Sequence, residues 1–221
     1  MTSSHTPQGM LFVASDVDPQ HESDFNQWYD QEHVEERARI SGFVSGARYR
    51  AQAGSAAGAR KYLGLYRTQS LAAFTSPAYR AAFERQTPWS VANLERMLDP
   101  MRRVCAVRAV AGFGSGSELA VLPLDPAPDV DALAARAQDA GSQLRALPGF
   151  VQSYLLAPDA TLSTPLPREA REGRVLFPML VIENSTNRAA LLARAAELLA
   201  ADASRAWLYG LGWKLYASEL S

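Results

Sequence analysis

Apolar positions along the chain change period in a regular order. Residues 10–17 (MLFVASDV) form a short apolar run that stops at Asp16-Val17-Asp18-Pro19, the pattern of a strand leading into a helix start. Over residues 22–40, Phe25, Trp28, Tyr29 and Ile40 recur at helical spacing with charges between them, and Gly42 stands just past the end, where helices commonly stop. Residues 43–51 (FVSGARYRA) and 61–68 (KYLGLYRT) read as two strands joined by the small, flexible loop QAGSAAGAR. A helical stretch over 71–98 follows, broken near Thr87-Pro88 by the proline, and 102–111 (RRVCAVRAVA) reads as a closing strand. The order predicted is βαββαβ.

After Gly112, the stretch GFGSGS has the composition of a linker, and the same order of elements begins again. Strands are expected over 118–124, 150–157, 175–183 and 207–217, and helices over 129–147 and 186–201. The junction after the first helix of each half is nearly duplicated: Ser41-Gly42-Phe43-Val44 against Pro148-Gly149-Phe150-Val151, an offset of 149 − 42 = 107 residues, about half of the chain. The expectation is an α+β fold of two tandem ferredoxin-like βαββαβ units, residues 1–112 and 118–221, with a linker at 112–117. A four-stranded sheet with its helices on one face leaves the other face apolar, so the two sheets should pack face to face as an α+β barrel with helices outside. The chain would then be an intramolecular pseudo-dimer, its sheet edges leaving room for a further homodimer.

Composition narrows the partners. A formal charge of −1 over 221 residues offers no broad positive field for nucleic acid or anionic membrane. No apolar run approaches the ~18 residues of a membrane span, and the polar first nine residues lack a secretory pattern, so a cytoplasmic protein is expected. The single cysteine, Cys105, lies in an apolar alternating run and reads as a small buried hydrophobe.

The segment with most chemistry is Phe25 to Arg37. On an ideal helical wheel the stripe set by Phe25, Trp28, Tyr29 and Ile40 runs almost through Glu32 and Glu36, with His33 on its flank. Tyr29, His33 and Arg37 are spaced i, i+4, i+8, which puts a phenol, an imidazole and a guanidinium in one row. A histidine titrating near neutrality beside a carboxylate can move a proton on carbon. The same spacing equally describes a surface histidine whose neighbouring glutamates pair with Arg37 and Arg39. His5, His21 and His33 show no metal-ligand spacing, GFGSGS precedes a strand and lacks a helix for phosphate binding, and no G-x-S-x-G elbow is present.

The run WYDQEHVEERARISGFVSGARYR resembles the W-Y-D-x-E-H-x-x-E-R, P-G-F and R-Y pattern of bacterial dimeric α+β barrel proteins, the group that holds EthD-like proteins, muconolactone isomerases and polyketide cyclases. The likeness covers residues 10–110 and rests on element order beyond; Ser41 stands where the pattern has proline. It implies a cleft between helices and sheet, a histidine as acid and base, and no metal or organic cofactor. Trp28, Tyr29, Glu32, His33 and Arg37 carry over from the motif, with Arg48 and Tyr49 from the next strand. With the offset of 107, His33 falls on Ala140, so the second half is expected to act as a structural partner, its long loop at 158–174 lying over a neighbouring cleft.

The function expected is proton transfer on a small unsaturated acid, lactone or phenolic polyketide, of isomerase or cyclase type. His33 would be the base and acid, Glu32 or Glu36 its orienting partner, and Tyr29 a donor to the enolate. Arg37 or Arg48 would bind a carboxylate or phenolate, while Trp28, Tyr66 and Trp89 supply apolar walls. The competing expectation is a non-catalytic barrel that binds a small aromatic or haem.

Overall fold

Alternating side chains close this chain into a barrel. The structure is a computed structural model that describes residues 7–220; His5, expected in a frayed tail, lies outside the described residues. The strands are β1 (Gly9–Val17), β2 (Phe43–Ala51), β3 (Tyr62–Thr68), β4 (Met97–Gly112), β5 (Glu118–Pro123), β6 (Phe150–Pro158), β7 (Met179–Asn184) and β8 (Trp207–Tyr216). They form one closed antiparallel barrel in the order β1-β3-β2-β8-β5-β7-β6-β4. The first four strands stand consecutively as β4-β1-β3-β2 and the last four as β8-β5-β7-β6, the same order in each half.

The expected picture of two sheets facing each other is corrected in one respect. The halves are hydrogen-bonded into a single sheet at two seams, β2 with β8 (Arg48 opposite Trp213) and β4 with β6 (Ala106 opposite Ala157). Pairing at both seams satisfies the backbone groups that four-stranded sheets would leave at their edges.

Inward positions alternate along each strand: Met10, Phe12 and Ala14 on β1, Ala47 and Tyr49 on β2, Leu63 and Leu65 on β3. Together with Tyr154, Val181, Trp207 and Tyr209 they fill the interior. Cys105 is buried among them, and burial pushes its thiol far above the ordinary value. Outside the barrel, α5 (Val130–Leu144) and α6 (Arg188–Leu199) cover the second half through Leu133, Ala137, Leu144 and Leu191. The first half is covered by a helix beginning as α1 (Glu22–Trp28) and ending as α2 (Val34–Ala38), and by α3 (Pro77–Glu84) and α4 (Pro88–Glu95). Both of these short helices start at a proline behind a hydroxyl cap: Ser76 receives the Tyr79 amide and Thr87 the Ser90 amide.

Two boundaries differ from the sequence reading. Strand β4 starts at Met97 rather than at 102, because Met97 and Leu98 continue the pairing with Val17 and Asp16 beyond a bulge at Asp99-Pro100. Strand β7 starts at Met179 rather than at 175, since Pro178 has no amide to give a ladder. Residues 159–178 instead fold onto β4. The Ser163 hydroxyl bonds both the amide and the carbonyl of Val104, and the buried Glu169 carboxylate accepts from Arg103, Arg174 and the backbone amides of Arg102 and Leu166. Burial raises the Glu169 pKa, but the two guanidiniums outweigh it and hold the carboxyl below its usual range. No helix among the described residues is long and apolar enough to cross a membrane.

Candidate active site

The helix over the first half is not regular. Between α1 and α2 lies one π turn, Tyr29–His33, in which the Val34 amide reaches back to the Tyr29 carbonyl. The extra residue changes which side chains face the barrel. A regular helix continues the stripe from Phe25, Trp28 and Tyr29 to Glu32 and Glu36; the π turn delays it by one position, to His33 and Arg37. These are 6% and 3% exposed, while Glu32 and Glu36 are only half-buried. The reading that put two carboxylates on the stripe and His33 on its flank is thereby corrected, as is the alternative of a surface histidine.

The helix packs close against the sheet because the strands below are thin there. A Cβ on Gly46 of β2 would stand 2.7 Å from Val34 Cγ1 and 3.1 Å from the Tyr66 ring, so only glycine lets α2 sit this close. Into this layer His33 inserts with its ring centroid 4.3 Å from Trp28, 5.0 Å from Tyr29 and 6.2 Å from Tyr66. Its Nδ1 is buried without a hydrogen-bond partner. Burial, and then the positive charges of Arg37 and Arg48, drive the imidazole pKa well below 6.5, so the ring is neutral at neutral pH.

Arg37 is buried beside it, with Nη1 unpartnered and no ion pair to any carboxylate among the described residues. Its guanidinium lies 4.7 Å from the ring centroid of Phe83, at the end of α3. The Tyr66 hydroxyl is likewise buried, with the Tyr29 phenol as its polar neighbour. Burial pushes its pKa well up, and so does the neighbouring Tyr29 phenol. Tyr29 is raised too, again by burial, with Arg48 and Arg37 opposing. Neutral imidazole, neutral phenols and an unpaired cation thus share one buried layer.

The expected carboxylate partners of His33 are elsewhere. Glu32 Oε1 accepts from Thr87 Oγ1 at 2.6 Å and Ser90 Oγ at 2.8 Å, and Ser90 Oγ in turn accepts the Trp28 indole N–H at 3.0 Å. Glu32 therefore anchors the helix to the start of α4, where a negative charge is favoured. Glu36 faces a groove between α2 and α3 with Arg39 and Arg85; burial and the nearby Glu32 raise its pKa. The helix ion pair that does form is Arg39 with Glu35, at 2.8 Å.

Of the remaining expected residues, Trp28 and Tyr66 wall the imidazole. Arg48 lies 4.2 Å over the Tyr29 ring and is held by Asp30 Oδ1 at 2.9 Å and Asn26 Oδ1 at 3.1 Å. Tyr49 is not at the site: as the neighbour of Arg48 on a strand it points to the opposite face, into the barrel. Trp89 is half-buried, donates to Asp24 Oδ1 at 3.1 Å, and has no ring contact with His33. Sequence reasoning missed Ser90 and Phe83; the i, i+4 pair of Tyr79 and Phe83, in edge contact at 5.0 Å, was the available signal for the latter. Among the described residues no group of three or more His, Cys, Asp or Glu side chains is placed to hold a metal ion.

No protein-family model and no curated protein sequence matches the chain. Solved structures match it over nearly its whole length. An anthrone oxidase-like protein aligns with a TM-score of 0.61 at 13% identity, covering 98% of this chain and 96% of that one. A protein from Fusobacterium nucleatum subsp. nucleatum, provisionally classed as a monooxygenase, gives 0.59 at 10% identity over 96% and 95%. A chlorite dismutase variant from Candidatus Nitrospira defluvii gives 0.54 at 12% identity over 95% and 92%. Likeness at such low identity concerns architecture alone: the chain shares the α+β barrel fold of these structures.

Proposed function

We propose that the chain is a small-molecule enzyme in which His33, as a neutral imidazole, removes a proton from a weakly acidic C–H or O–H of a phenolic or unsaturated carbonyl substrate. The observation that carries this is the coincidence of two buried polar atoms lacking partners, His33 Nδ1 and Arg37 Nη1, beside the Tyr66 hydroxyl, whose polar neighbour is the Tyr29 phenol. Each unsatisfied group costs about 1–3 kcal/mol, and buried polar groups are rarely left so. A substrate oxygen that becomes an oxyanion satisfies the guanidinium and the phenol, while the imidazole takes the proton. Tyr66, rather than Tyr29, then donates to the enolate or phenolate.

In this reading the chain is two tandem ferredoxin-like units, 1–112 and 118–221, related to the EthD-like, muconolactone isomerase and polyketide cyclase group. The second unit serves as a built-in partner, and proton transfer by side chains alone accounts for an isomerase- or cyclase-type reaction. An anthrone oxidase-like neighbour is in keeping with a polycyclic phenol as substrate. Haem does not fit the residues present: His33 is 6% exposed and packed among Trp28, Tyr29 and Tyr66, so a macrocycle cannot bring iron to its nitrogens without displacing them.

The test is exchange of carbon-bound hydrogen in D2O across lactones, dienoates and phenols, with wild type and His33→Gln, which keeps volume in this buried place. Exchange by wild type that is lost in the variant supports the assignment. Ligand binding with no exchange in any compound would leave a non-catalytic aromatic-binding barrel as the better reading.

A further inference from the structure

Beside the His33 layer, α3 and the segment 161–167 from the second half enclose a cleft of about 510 Å³. Its walls include Phe74, Tyr79, Phe83, Leu162 and Leu166, and a smaller apolar cleft of about 250 Å³ continues past Phe83 toward Val91 and Leu94. The walls are braced rather than loose. The buried Arg102 guanidinium donates to the Leu162 and Thr164 carbonyls at 2.8 and 3.0 Å on one side and to the Tyr79 hydroxyl at 3.1 Å on the other. Glu169 fixes the far end of the same segment.

Phe83 is 41% exposed although it lies between two apolar clefts, and its inner side covers the Arg37 guanidinium. The apolar side chains of the cleft match a flat hydrocarbon body, Arg80 and Glu84 stand among them, and the unpaired Arg37 behind the ring matches an anionic group.

We propose that this cleft binds the body of a flat aromatic anion, and that Phe83 is the gate past which its acidic group reaches Arg37. The proposal rests on the reading of the His33 layer as a site, and it names the class of ligand and the way in. The cleft exists only because residues 161–167 of the second half reach across β4, so the half without the imidazole completes the site.

The test is calorimetric titration, with stopped-flow fluorescence for association rates, using 2-naphthoate and its uncharged analogue 2-naphthalenemethanol. Wild type should bind the anion about tenfold more tightly than the alcohol, a preference that Arg37→Gln removes. Leu166→Trp, which fills the cleft, should weaken 2-naphthoate about tenfold or more, whereas Phe83→Ala should speed its association by a similar factor without weakening it. No binding by wild type, equal affinity for the two compounds, or affinity and association rate unchanged in both Leu166→Trp and Phe83→Ala overturns the proposal. Those outcomes are independent of the His33→Gln exchange experiment: binding through the cleft without exchange overturns the chemistry and keeps the cleft, and exchange without these binding effects does the reverse.

Discussion

Asp30 and Trp213 tie the two halves of the chain together directly over the site: the Trp213 indole N–H donates to Asp30 Oδ1 at 2.8 Å, and the same oxygen receives Arg48 Nη1 at 2.9 Å. Arg48 rests on Tyr29, and Tyr29 on His33, so a residue from β8 reaches the imidazole through four successive contacts. Removing the carboxylate leaves Arg48 buried with only Asn26 as partner. Asp30→Ala should cost about 1–2 kcal/mol and Trp213→Phe about 1 kcal/mol, read from urea midpoints. If the two costs simply add in the double variant, the shared oxygen couples nothing.

The depressed pKa of His33 makes a prediction about acid. The folded protein holds this proton less tightly than the unfolded chain, so its contribution to stability is complete above about 6.5 and falls as the pH drops below that value toward the folded pKa. The slope there is at most about 1.4 kcal/mol per pH unit. Glu22, Asp24 and Glu169 are shifted below their ordinary values of 4.5, 3.8 and 4.5, and lose their contributions only in stronger acid. Between about pH 7.5 and about pH 5.5, wild type should therefore lose stability that His33→Gln does not. Parallel losses in both proteins would show that the imidazole is not the group responsible.

Glu169 offers a measure of how far the 159–178 segment depends on one carboxylate. Glu169→Ala leaves Arg103 and Arg174 without their acid partner in a buried place, at a cost of about 3 kcal/mol. Limited proteolysis should then cut within this segment first. An intact segment with unaltered stability would mean that the Ser163 contacts to Val104 suffice.

The duplicated junction predicts unequal costs for equal changes. Gly42 and Gly149 both adopt positive φ, +90° and +84°, where the chain leaves a helix for β2 and β6. Alanine at 42 would sit 3.2 Å from the Ala73 methyl, whereas at 149 its Cβ would collide with the Thr186 carbonyl. Gly42→Ala should cost about 1 kcal/mol from backbone strain, and Gly149→Ala at least about 2 kcal/mol, by thermal or urea unfolding. Equal losses would place the whole effect in φ and none in the collision.

The same junction explains what could be read in advance. Strands announced themselves by alternation and helices by period, because burial on one face leaves that trace in the residue types, as in Met10, Phe12 and Ala14 against Leu63 and Leu65. What the period could not convey is an interruption of the period. The Tyr29–His33 turn is a five-residue departure from helical geometry, and it alone decided whether Glu32 and Glu36 or His33 and Arg37 faced the sheet. The uninterrupted α5 in the other half keeps Leu133, Ala137, Ala140 and Leu144 buried at regular spacing, where the wheel serves well. Tyr49 was misplaced because a sequence motif groups neighbours that a strand sends to opposite faces. The loop at 158–174 was legible as a cover over a cleft, but Phe83 was hidden for another reason: its place beside that loop joins residues far apart in the chain, and nothing local encodes it.

Both seams of the barrel are stitched within one polypeptide, which makes its closure a first-order event. Dilution does not unzip them, and neither half ever has to find a mate in solution. The cost of bringing sheets together is thus an internal loop closure, set by the short run between Gly112 and Glu118 rather than by how much protein a cell contains. With no need to remain interchangeable, the halves can differ, one holding an imidazole under its helix and the other a methyl group at the matching place.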